Sequence, residues 1–183
     1  MNHNDLRVIK TKKALSQSLY ELLEKHMFTT ISVNQICDNA MVHRTTFYKH
    51  FYDKYDLLIY LIKLLTKDYL ATDIKERLNN PFKTIYTTFQ NKAELQRIQQ
   101  KQQDDKEFEK VVSKFIIDTL KNDIKENQHR IIVDRAVPES LIFYIYDSTL
   151  AGFVEWARCE NPNMDADKMD KIFHKVVNLK IRD

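Results

Sequence analysis

Apolar residues recur at helical spacing along almost the whole chain, and short polar segments separate the repeats. In the first 70 residues the repeats predict a helix from Asp5 to His26, a short helix pair within residues 32–51, and a fourth helix that begins at Asp53. Later repeats predict helices after Pro81, Asp105, Pro138 and Asp165. With only one glycine and three prolines, the chain contains few helix breakers. The pattern therefore predicts an all-α fold.

The segment from Ser32 to Phe51 has the pattern of two short helices joined by a tight corner. Residues 32–35 read Ser-Val-Asn-Gln, a capping-box sequence that starts a helix through side-chain bonds to free backbone N–H groups. After a corner at Met41, Phe47 and Phe51 are four residues apart and point inward together. The opposite face then carries Arg44, Thr45, Tyr48 and Lys49. This arrangement predicts a helix-turn-helix.

The outward face of the second helix has side chains suited to a DNA major groove. Arginine can donate two parallel hydrogen bonds to guanine, a threonine methyl can meet thymine, and lysine or tyrosine can reach base edges or phosphates. We predict that Arg44, Thr45 and Lys49 contact bases. The predicted phosphate contacts are Ser32, Thr46, Tyr48, His50 and Lys54. The alternative is an amphipathic helix pair whose polar side only faces water, but the spacing, the aromatic anchors and the basic face together favour DNA.

These residues resemble the helix-turn-helix of the TetR family of bacterial transcription regulators. The resemblance is carried by residues 29–32, by Ile36 and Ala40, and by the runs 44–51 and 53–58, and it covers roughly the first third of the chain. It implies a TetR-like fold, with a three-helix DNA-binding head and a helical body for ligand binding and dimerisation. It also implies a transcriptional regulator and not an enzyme.

The corner of the helix pair departs from the usual family pattern. Ala40-Met41-Val42-His43 stands where the family usually has Ala-Gly-Val-Ser. Glycine relieves a left-handed backbone conformation, so Met41 is expected to cost about 1 kcal/mol if the corner is unchanged. His43 is also a poorer helix cap than serine. Neither change removes a DNA-contacting group, so the same docking mode is expected.

A composition shift near residues 70–80 predicts the boundary between a DNA-binding domain with its linking helix, residues 1–70, and a regulatory and dimerisation domain, residues 71–183. The last two helices carry more apolar surface than a small body can hide, which predicts a homodimer. The alternative is that these helices cover each other. The predicted interface residues are Ser148, Gly152, Trp156, Phe173 and Val176. Two heads related by a two-fold axis would read a palindromic operator.

Aromatic residues of the second half are predicted to line a pocket for a small-molecule effector: Tyr86, Phe89, Phe108, Phe115, Tyr144 and Tyr146. The resemblance implies a repressor that leaves DNA when a ligand spreads the heads apart. The order Val137-Pro138, an apolar helix, Gly152 and Trp156 is similar to a subgroup that includes activators of dihydroxyacetone kinase genes. This similarity leaves open an activator or co-regulator whose body binds a protein partner.

Charge is divided unevenly along the chain. Residues 1–70 hold 10 Lys and Arg against 7 Asp and Glu, whereas residues 71–183 hold 19 of each, so the net charge of +3 comes from the predicted DNA-binding part. Basic residues at the start of the first helix can approach phosphates without reading sequence: Arg7, Lys10, Lys12 and Lys13.

The sequence gives little support to other classes of function. Motifs for phosphate loops, serine hydrolases and zinc proteases are absent from the sequence, and no cofactor is predicted. His43 and His50 are seven residues apart, whereas metal ligands on one helical face are usually three or four apart, so no metal site is predicted. Cys37 and Cys159 are expected to be reduced thiols. Without an apolar stretch of membrane-spanning length, the protein is expected in the cytoplasm.

Two segments are expected to have no special role. The glutamine-rich run 99–103 is predicted to be an exposed helix end or connection. The run Ile131-Ile132-Val133 is predicted to fill the core of the body, because no partner strand is evident.

Overall fold

The computed structural model describes residues 6–89, 93–127, 131–132, 137–161, 164–176 and 180–181. The described residues form eleven α-helices: α1 (Leu6–Leu23), α2 (Val33–Ala40), α3 (Arg44–Phe47), α4 (Lys54–Leu65), α5 (Lys67–Ala71), α6 (Ile74–Asn79), α7 (Pro81–Phe89), α8 (Ala93–Gln102), α9 (Lys106–Glu126), α10 (Glu139–Glu160) and α11 (Ala166–Val176). A 3₁₀-helix, Phe28–Thr30, lies between α1 and α2. The predicted all-helical fold is confirmed. None of the described helices has the length and apolar character that crossing a bilayer requires.

The prediction for residues 131–133 is wrong in part. Ile131–Ile132 forms a two-residue strand, β1, which pairs antiparallel with β2 (Lys180–Ile181). The partner strand lies beyond α11, so short-range patterning could not reveal it. Val133 lies outside the described residues.

Packing divides the chain into two compact units. The described part of the head unit comprises residues 6–66 and 93–112. That of the body unit comprises residues 67–89, 113–127, 131–132, 137–161, 164–176 and 180–181. The sequence predicted one division near residues 70–80, with every later residue in the body. The structure instead packs α8 and the first part of α9 with the head. The functional division at residue 70 stays a prediction.

The head unit is built around the apolar stripe of α1. Leu15, Leu19 and Leu23 are buried against residues from α2, α3 and α4. The α1–α2 pair is also joined by a buried hydrogen bond of 2.8 Å from the Ser18 hydroxyl to the Ile36 carbonyl. Burial of each large apolar side chain stabilises the head by roughly 1.5–3 kcal/mol. This core fixes α2 and α3 on one supporting helix.

Local capping sets the starts of the head helices. The Ser32 hydroxyl accepts the Gln35 N–H at 3.2 Å, and the Gln35 side chain accepts the Ser32 N–H at 2.8 Å, so the predicted capping box is present. One Asp53 carboxylate oxygen accepts the N–H groups of Tyr55 and Asp56, both at 2.8 Å, and caps α4. The sequence signals for α2 and α4 are therefore confirmed.

The body unit has a separate core of aromatic and aliphatic side chains from α6, α7, α10 and α11. Phe173 lies at its centre, with its ring edge-on to Phe82 and Tyr146 at centroid distances of 5.6 Å and 5.4 Å. The Asp170 carboxylate accepts the Phe82 and Lys83 N–H groups at 2.9 Å and 3.0 Å, so α11 caps the start of α7. An ion pair joins the buried Arg77 of α6 to the half-buried Asp123 of α9.

Candidate nucleic-acid interface

The second helix of the pair presents the face that the sequence predicted. Phe47 and Phe51 are buried in the head core, with ring centroids 5.8 Å apart. The four outward residues, Arg44, Thr45, Tyr48 and Lys49, are all exposed. α3 itself ends at Phe47, and the N–H groups of Lys49 and His50 then bond to carbonyls three residues earlier. This tighter turn follows the helix without covering its outer face.

The corner before α3 has the conformation that a glycine would relieve. Met41 has φ 53° and ψ 41°, and it is the only non-glycine residue with positive φ in the described part of the chain. Its N–H still bonds to carbonyls at the end of α2, and its side chain is 93% exposed. His43 caps α3 without a side-chain hydrogen bond. The corner keeps its geometry, and Met41 carries the expected cost of about 1 kcal/mol.

Arg44 is held in place by its neighbour on the outer face. Its guanidinium donates to the Tyr48 hydroxyl at 3.3 Å and lies 5.6 Å from the centre of the Tyr48 ring. The hydrogen bond with Tyr48 raises the pKa of Arg44. A guanidinium that is already oriented loses less side-chain entropy when it forms hydrogen bonds to a base.

The predicted phosphate contacts differ in their surroundings. The Ser32 hydroxyl lies 2.9 Å from the Gln35 side-chain oxygen, so it already has a partner. Thr46 is half-buried beside the exposed face. His50 is also half-buried, and its Nδ1 has no hydrogen-bond partner. Burial, and then the charges of Lys12 and Lys49, lower the pKa of His50. His50 is therefore mostly neutral at pH 7 in the free protein.

Lys54 has a different role from the predicted phosphate contact. Its Nζ donates to the carbonyls of Phe28, Thr29 and Ile31 at 2.8 Å, 3.0 Å and 2.8 Å. It also lies 4.6 Å from the centre of the Phe28 ring. An ammonium group has three N–H donors, so all of them are used within the head. The sequence could not reveal this because the acceptors lie more than twenty residues earlier.

The basic start of α1 extends the charged surface of the head. Arg7, Lys10 and Lys13 are exposed, whereas Lys12 lies over the rings of Phe51 and Tyr60 at 5.6 Å and 5.3 Å. Tyr52 was not among the contact residues predicted from the sequence, although its exposed ring directly follows the inward-facing Phe51. The outward position of Tyr52 could have been predicted, because inward and outward positions alternate beyond Phe51.

The six aromatic residues predicted for an effector pocket are divided between the two units. Phe108 belongs to the head unit, where its ring lies 6.3 Å from Phe28. Tyr146 is buried in the body core and donates to the Leu78 carbonyl at 3.3 Å. Phe89 stacks on Tyr69 with centroids 6.5 Å apart. The remaining three are partly or largely exposed: Tyr86, Phe115 and Tyr144.

The residues predicted for a dimer interface separate into an exposed and a buried group. Ser148, Gly152 and Val176 are exposed. Trp156 is half-buried against the body core, and Phe173 is only 1% exposed in the single chain. Phe173 is therefore a core residue of its own protomer. The sequence did not reveal this, because helical spacing alone does not tell the inward face of α11 from the outward face.

The exposed residues of α10 form one continuous stripe. Leu141, Tyr144, Ile145 and Ser148 recur at helical spacing and continue to Gly152. A Cβ added at Gly152 would meet nothing within 4 Å. Apolar surface arranged along one side of a helix is typical of an interface.

The cysteines and histidines form no metal centre in the described part of the chain, where no group of three potential ligands occurs. Cys37 is buried, and burial raises the pKa of its thiol. Cys159 is exposed near the end of α10.

Comparison with known proteins identifies the fold. No protein-family model matches the chain, and no curated protein sequence does. A TetR transcriptional regulator from Streptococcus agalactiae is similar in structure, with TM-score 0.64 and 21% identity over 94% of this chain and 96% of that chain. NalD from Pseudomonas aeruginosa, a secondary repressor of a multidrug efflux pump, has TM-score 0.56 and 17% identity over 96% and 98%. The chain therefore has the fold of TetR-family transcription regulators.

A third structure bears on the predicted subgroup. DhaS, a dihydroxyacetone kinase operon activator, matches with TM-score 0.47 and 18% identity over 93% of each chain. That similarity is too low to support an argument, so the resemblance to this subgroup stays a prediction.

Proposed function

We propose that this chain is a sequence-specific DNA-binding transcriptional regulator that works as a homodimer in the cytoplasm. The observation that carries the proposal is the outer face of α3, where Arg44, Thr45, Tyr48 and Lys49 are exposed while Phe47 and Phe51 anchor the helix. The fold shared with transcription regulators adds support.

The residues of the helix pair contact different parts of the DNA in this proposal. Arg44, oriented by Tyr48, donates to a guanine, and Thr45 and Lys49 contact neighbouring bases. Thr46, Tyr48 and His50 bind phosphates and fix the register of α3 in the groove. Ser32 does so at the start of α2, once its hydroxyl turns from Gln35. Lys54 supports this surface from inside the head.

A second copy of the chain is the proposed partner of the α10 stripe. The stripe is apolar from Leu141 to Ile145 and small from Ser148 to Gly152, so two copies can approach closely. Two heads bind a palindrome far more tightly than one, because the second binding event is intramolecular. Dimerisation and operator reading therefore support each other.

Repression released by a small-molecule effector is the proposed mode of regulation. Two similar structures are of repressors of multidrug efflux pumps, NalD and SmeT. Release requires an effector that binds the DNA-incompetent arrangement better than the DNA-bound one. A stoichiometric protein partner without ligand-dependent release would instead support an activator or co-regulator.

Selection of bound duplexes from a randomised pool, followed by titration of single-base variants, tests the proposal. We expect a palindromic site. Arg44→Ala should remove discrimination of about 1–3 kcal/mol at one base pair of each half-site. Arg44→Lys is the matched control, because it keeps the positive charge but cannot form the bidentate hydrogen bonds of the guanidinium. Equal affinity of the wild type for all duplexes, or a uniform loss in Arg44→Ala, would contradict the proposal.

A further inference from the structure

The short turn between α8 and α9 binds the backbone that leads into the helix-turn-helix. Gln102, at the end of α8, is only 3% exposed. Its side-chain oxygen accepts the Phe28 N–H at 2.8 Å. Its amide nitrogen donates to the Leu23 and His26 carbonyls, both at 2.7 Å. One side chain thus satisfies three backbone groups between the end of α1 and the 3₁₀-helix.

Asp105 makes a second set of bonds to the same segment. One carboxylate oxygen accepts the Thr29 N–H at 2.8 Å and the Thr29 hydroxyl at 2.9 Å. The other oxygen accepts the Glu107 and Phe108 N–H groups and caps α9. Burial acts to raise the pKa of Asp105, but the hydrogen bonds outweigh burial and lower it. The group is an ionised acceptor, which makes these bonds strong.

Lys54 completes the set from α4. While Gln102 and Asp105 hold N–H groups of residues 28 and 29, Lys54 holds the carbonyls of Phe28, Thr29 and Ile31. Burial lowers the pKa of Lys54, and the charges of Asp105 and Glu107 oppose that shift. We call these three side chains, Gln102, Asp105 and Lys54, the clamp.

The clamp acts directly before the residue that caps α2. Ile31, whose carbonyl binds Lys54, directly precedes Ser32, the residue that caps α2. The segment from residue 24 to residue 31 has only one turn of 3₁₀-helix of its own, so its path depends on distant side chains. The clamp therefore adds a constraint at the start of α2 to the packing of α2 against α1.

We propose that Gln102 and Asp105 are positioning residues for DNA recognition. They do not touch DNA; they hold residues 23–29 so that α2 and α3 keep the orientation that fits the groove. This inference rests on the proposed function. A recognition surface that is loosened by about 1 Å loses binding, because its groups must be ordered again on every encounter.

Asp105→Asn tests the proposal with little change of shape. Asparagine is as good a helix cap as aspartate, so α9 can keep its start. Asparagine, however, has only one side-chain oxygen, so it cannot accept from the Thr29 N–H and from the N–H groups of α9 at once. When that oxygen caps α9, the NH₂ group faces the Thr29 N–H, and two donors cannot bond. We expect about tenfold weaker operator binding. Asp104→Asn is the matched control, because Asp104 is exposed and the change of charge is the same.

The sign of the effect separates positioning from charge. Removal of a negative charge strengthens binding to a polyanion, so Asp104→Asn is expected to bind DNA equally or slightly more tightly. Weaker binding by Asp105→Asn alone supports positioning. Equal affinities of the two variants, measured per folded molecule well below the melting temperature, would overturn the proposal.

A second pair of variants keeps the test valid if Asp105→Asn fails to fold. Gln102→Leu removes three hydrogen bonds without a change of charge, and Gln103→Leu alters an exposed neighbour. Gln102→Leu should weaken operator binding about tenfold, with the same order of preferred bases and the same salt slope as the wild type. A changed order of preference would show that Gln102 affects base readout directly and would overturn positioning.

Amide hydrogen exchange tests the clamp independently of DNA. The Thr29 N–H should exchange faster in Asp105→Asn than in the wild type, and the Phe28 N–H faster in Gln102→Leu. Unchanged exchange at both amides would overturn the clamp. A wild type that binds no duplex in the randomised pool would refute the proposed function while leaving this measurement interpretable.

Discussion

The head and the body use buried polar groups in different ways. In the head, Gln102 and Asp105 bind backbone N–H and carbonyl groups around an apolar core. In the body, Asp170 does the same for the start of α7, but the buried Arg77 also forms an ion pair with the half-buried Asp123. The head is thus held by apolar packing and backbone bonds, and the body adds charge pairing inside the protein.

This difference predicts which substitutions destabilise each unit most. An apolar core loses stability in proportion to the volume removed. A buried ion pair contributes little net stability but becomes costly when only one partner is removed. Removal of one partner of an ion pair should therefore destabilise the body more than the head.

The largest effect is expected from Arg77→Met. This change leaves the half-buried Asp123 carboxylate without its partner, so the free energy of unfolding should fall by about 1–3 kcal/mol. Arg97→Met in the head is the matched control. Arg97 pairs with Glu24 at 2.8 Å, but its side chain is 54% exposed, so its loss should cost much less stability than the loss of Arg77.

Chemical denaturation of the two variants and of Arg77→Met/Asp123→Asn would measure this contrast. The double variant should recover most of the lost stability, because no buried charge remains unpaired. Equal decreases in the free energy of unfolding of Arg77→Met and Arg97→Met would contradict the proposed difference between the units.

The next effect is a loss of body stability in alkali. Burial is the main cause that raises the pKa of Tyr69 from 10.0 to about 12. In the unfolded chain Tyr69 ionises at its ordinary pKa, so its contribution is complete below pH 10 and is lost as the pH rises towards 12. Denaturation from pH 8 to 11 should show a decrease of about 1.4 kcal/mol from Tyr69, because one pKa unit corresponds to about 1.4 kcal/mol.

Two tyrosine variants assign this decrease to the body. Tyr69→Phe should make the alkaline profile shallower, because it removes one ionising hydroxyl, whereas Tyr146, whose pKa burial also raises, continues to contribute. Tyr52→Phe, at the exposed head tyrosine, should leave the profile as in the wild type. A profile that is as steep in Tyr69→Phe as in the wild type would show that other groups cause the loss.

The smallest effect on the protomer is expected at Gly152, on the outer face of α10. Gly152→Ala should stabilise the isolated protomer by about 1 kcal/mol, because alanine favours a helix and the added Cβ meets nothing within 4 Å. Gly152→Arg should fold equally well but place a long charged side chain in the proposed dimer interface.

Analytical ultracentrifugation of Gly152→Arg would test whether the outer face of α10, unlike the rest of the body surface, forms the dimer interface. We expect a dimer for the wild type and a monomer for the variant, with unchanged helical content by circular dichroism. Lys175→Arg, an exposed change on α11, is the control. A variant that remains dimeric would place the interface elsewhere.

Local sequence signals predicted much of the head. The capping box at Ser32, the left-handed corner at Met41, and the inward Phe47 and Phe51 all agree with the structure. Each depends on residues at most four apart, so the interaction is visible in the sequence itself. The roles of the outer-face residues in DNA binding remain predictions.

Long-range contacts were not predictable in the same way. Gln102 belongs to a polar run that reads as an exposed helix end, yet it is buried against backbone groups more than seventy residues earlier. Lys54 reads as a phosphate contact and instead binds three carbonyls. Phe173 reads as an interface residue and fills its own core. Composition and periodicity describe a side chain but not its distant partner.

The sequence by itself determined the helical class, the helix-turn-helix and the face that α3 presents, because spacing of apolar residues and local capping act over one or two turns. Tertiary structure alone decided which polar side chains are buried, which pairs of segments they join, and that β1 meets β2. These outcomes depend on where the chain returns to itself, and burial then gives each polar group a partner that no short stretch of sequence contains.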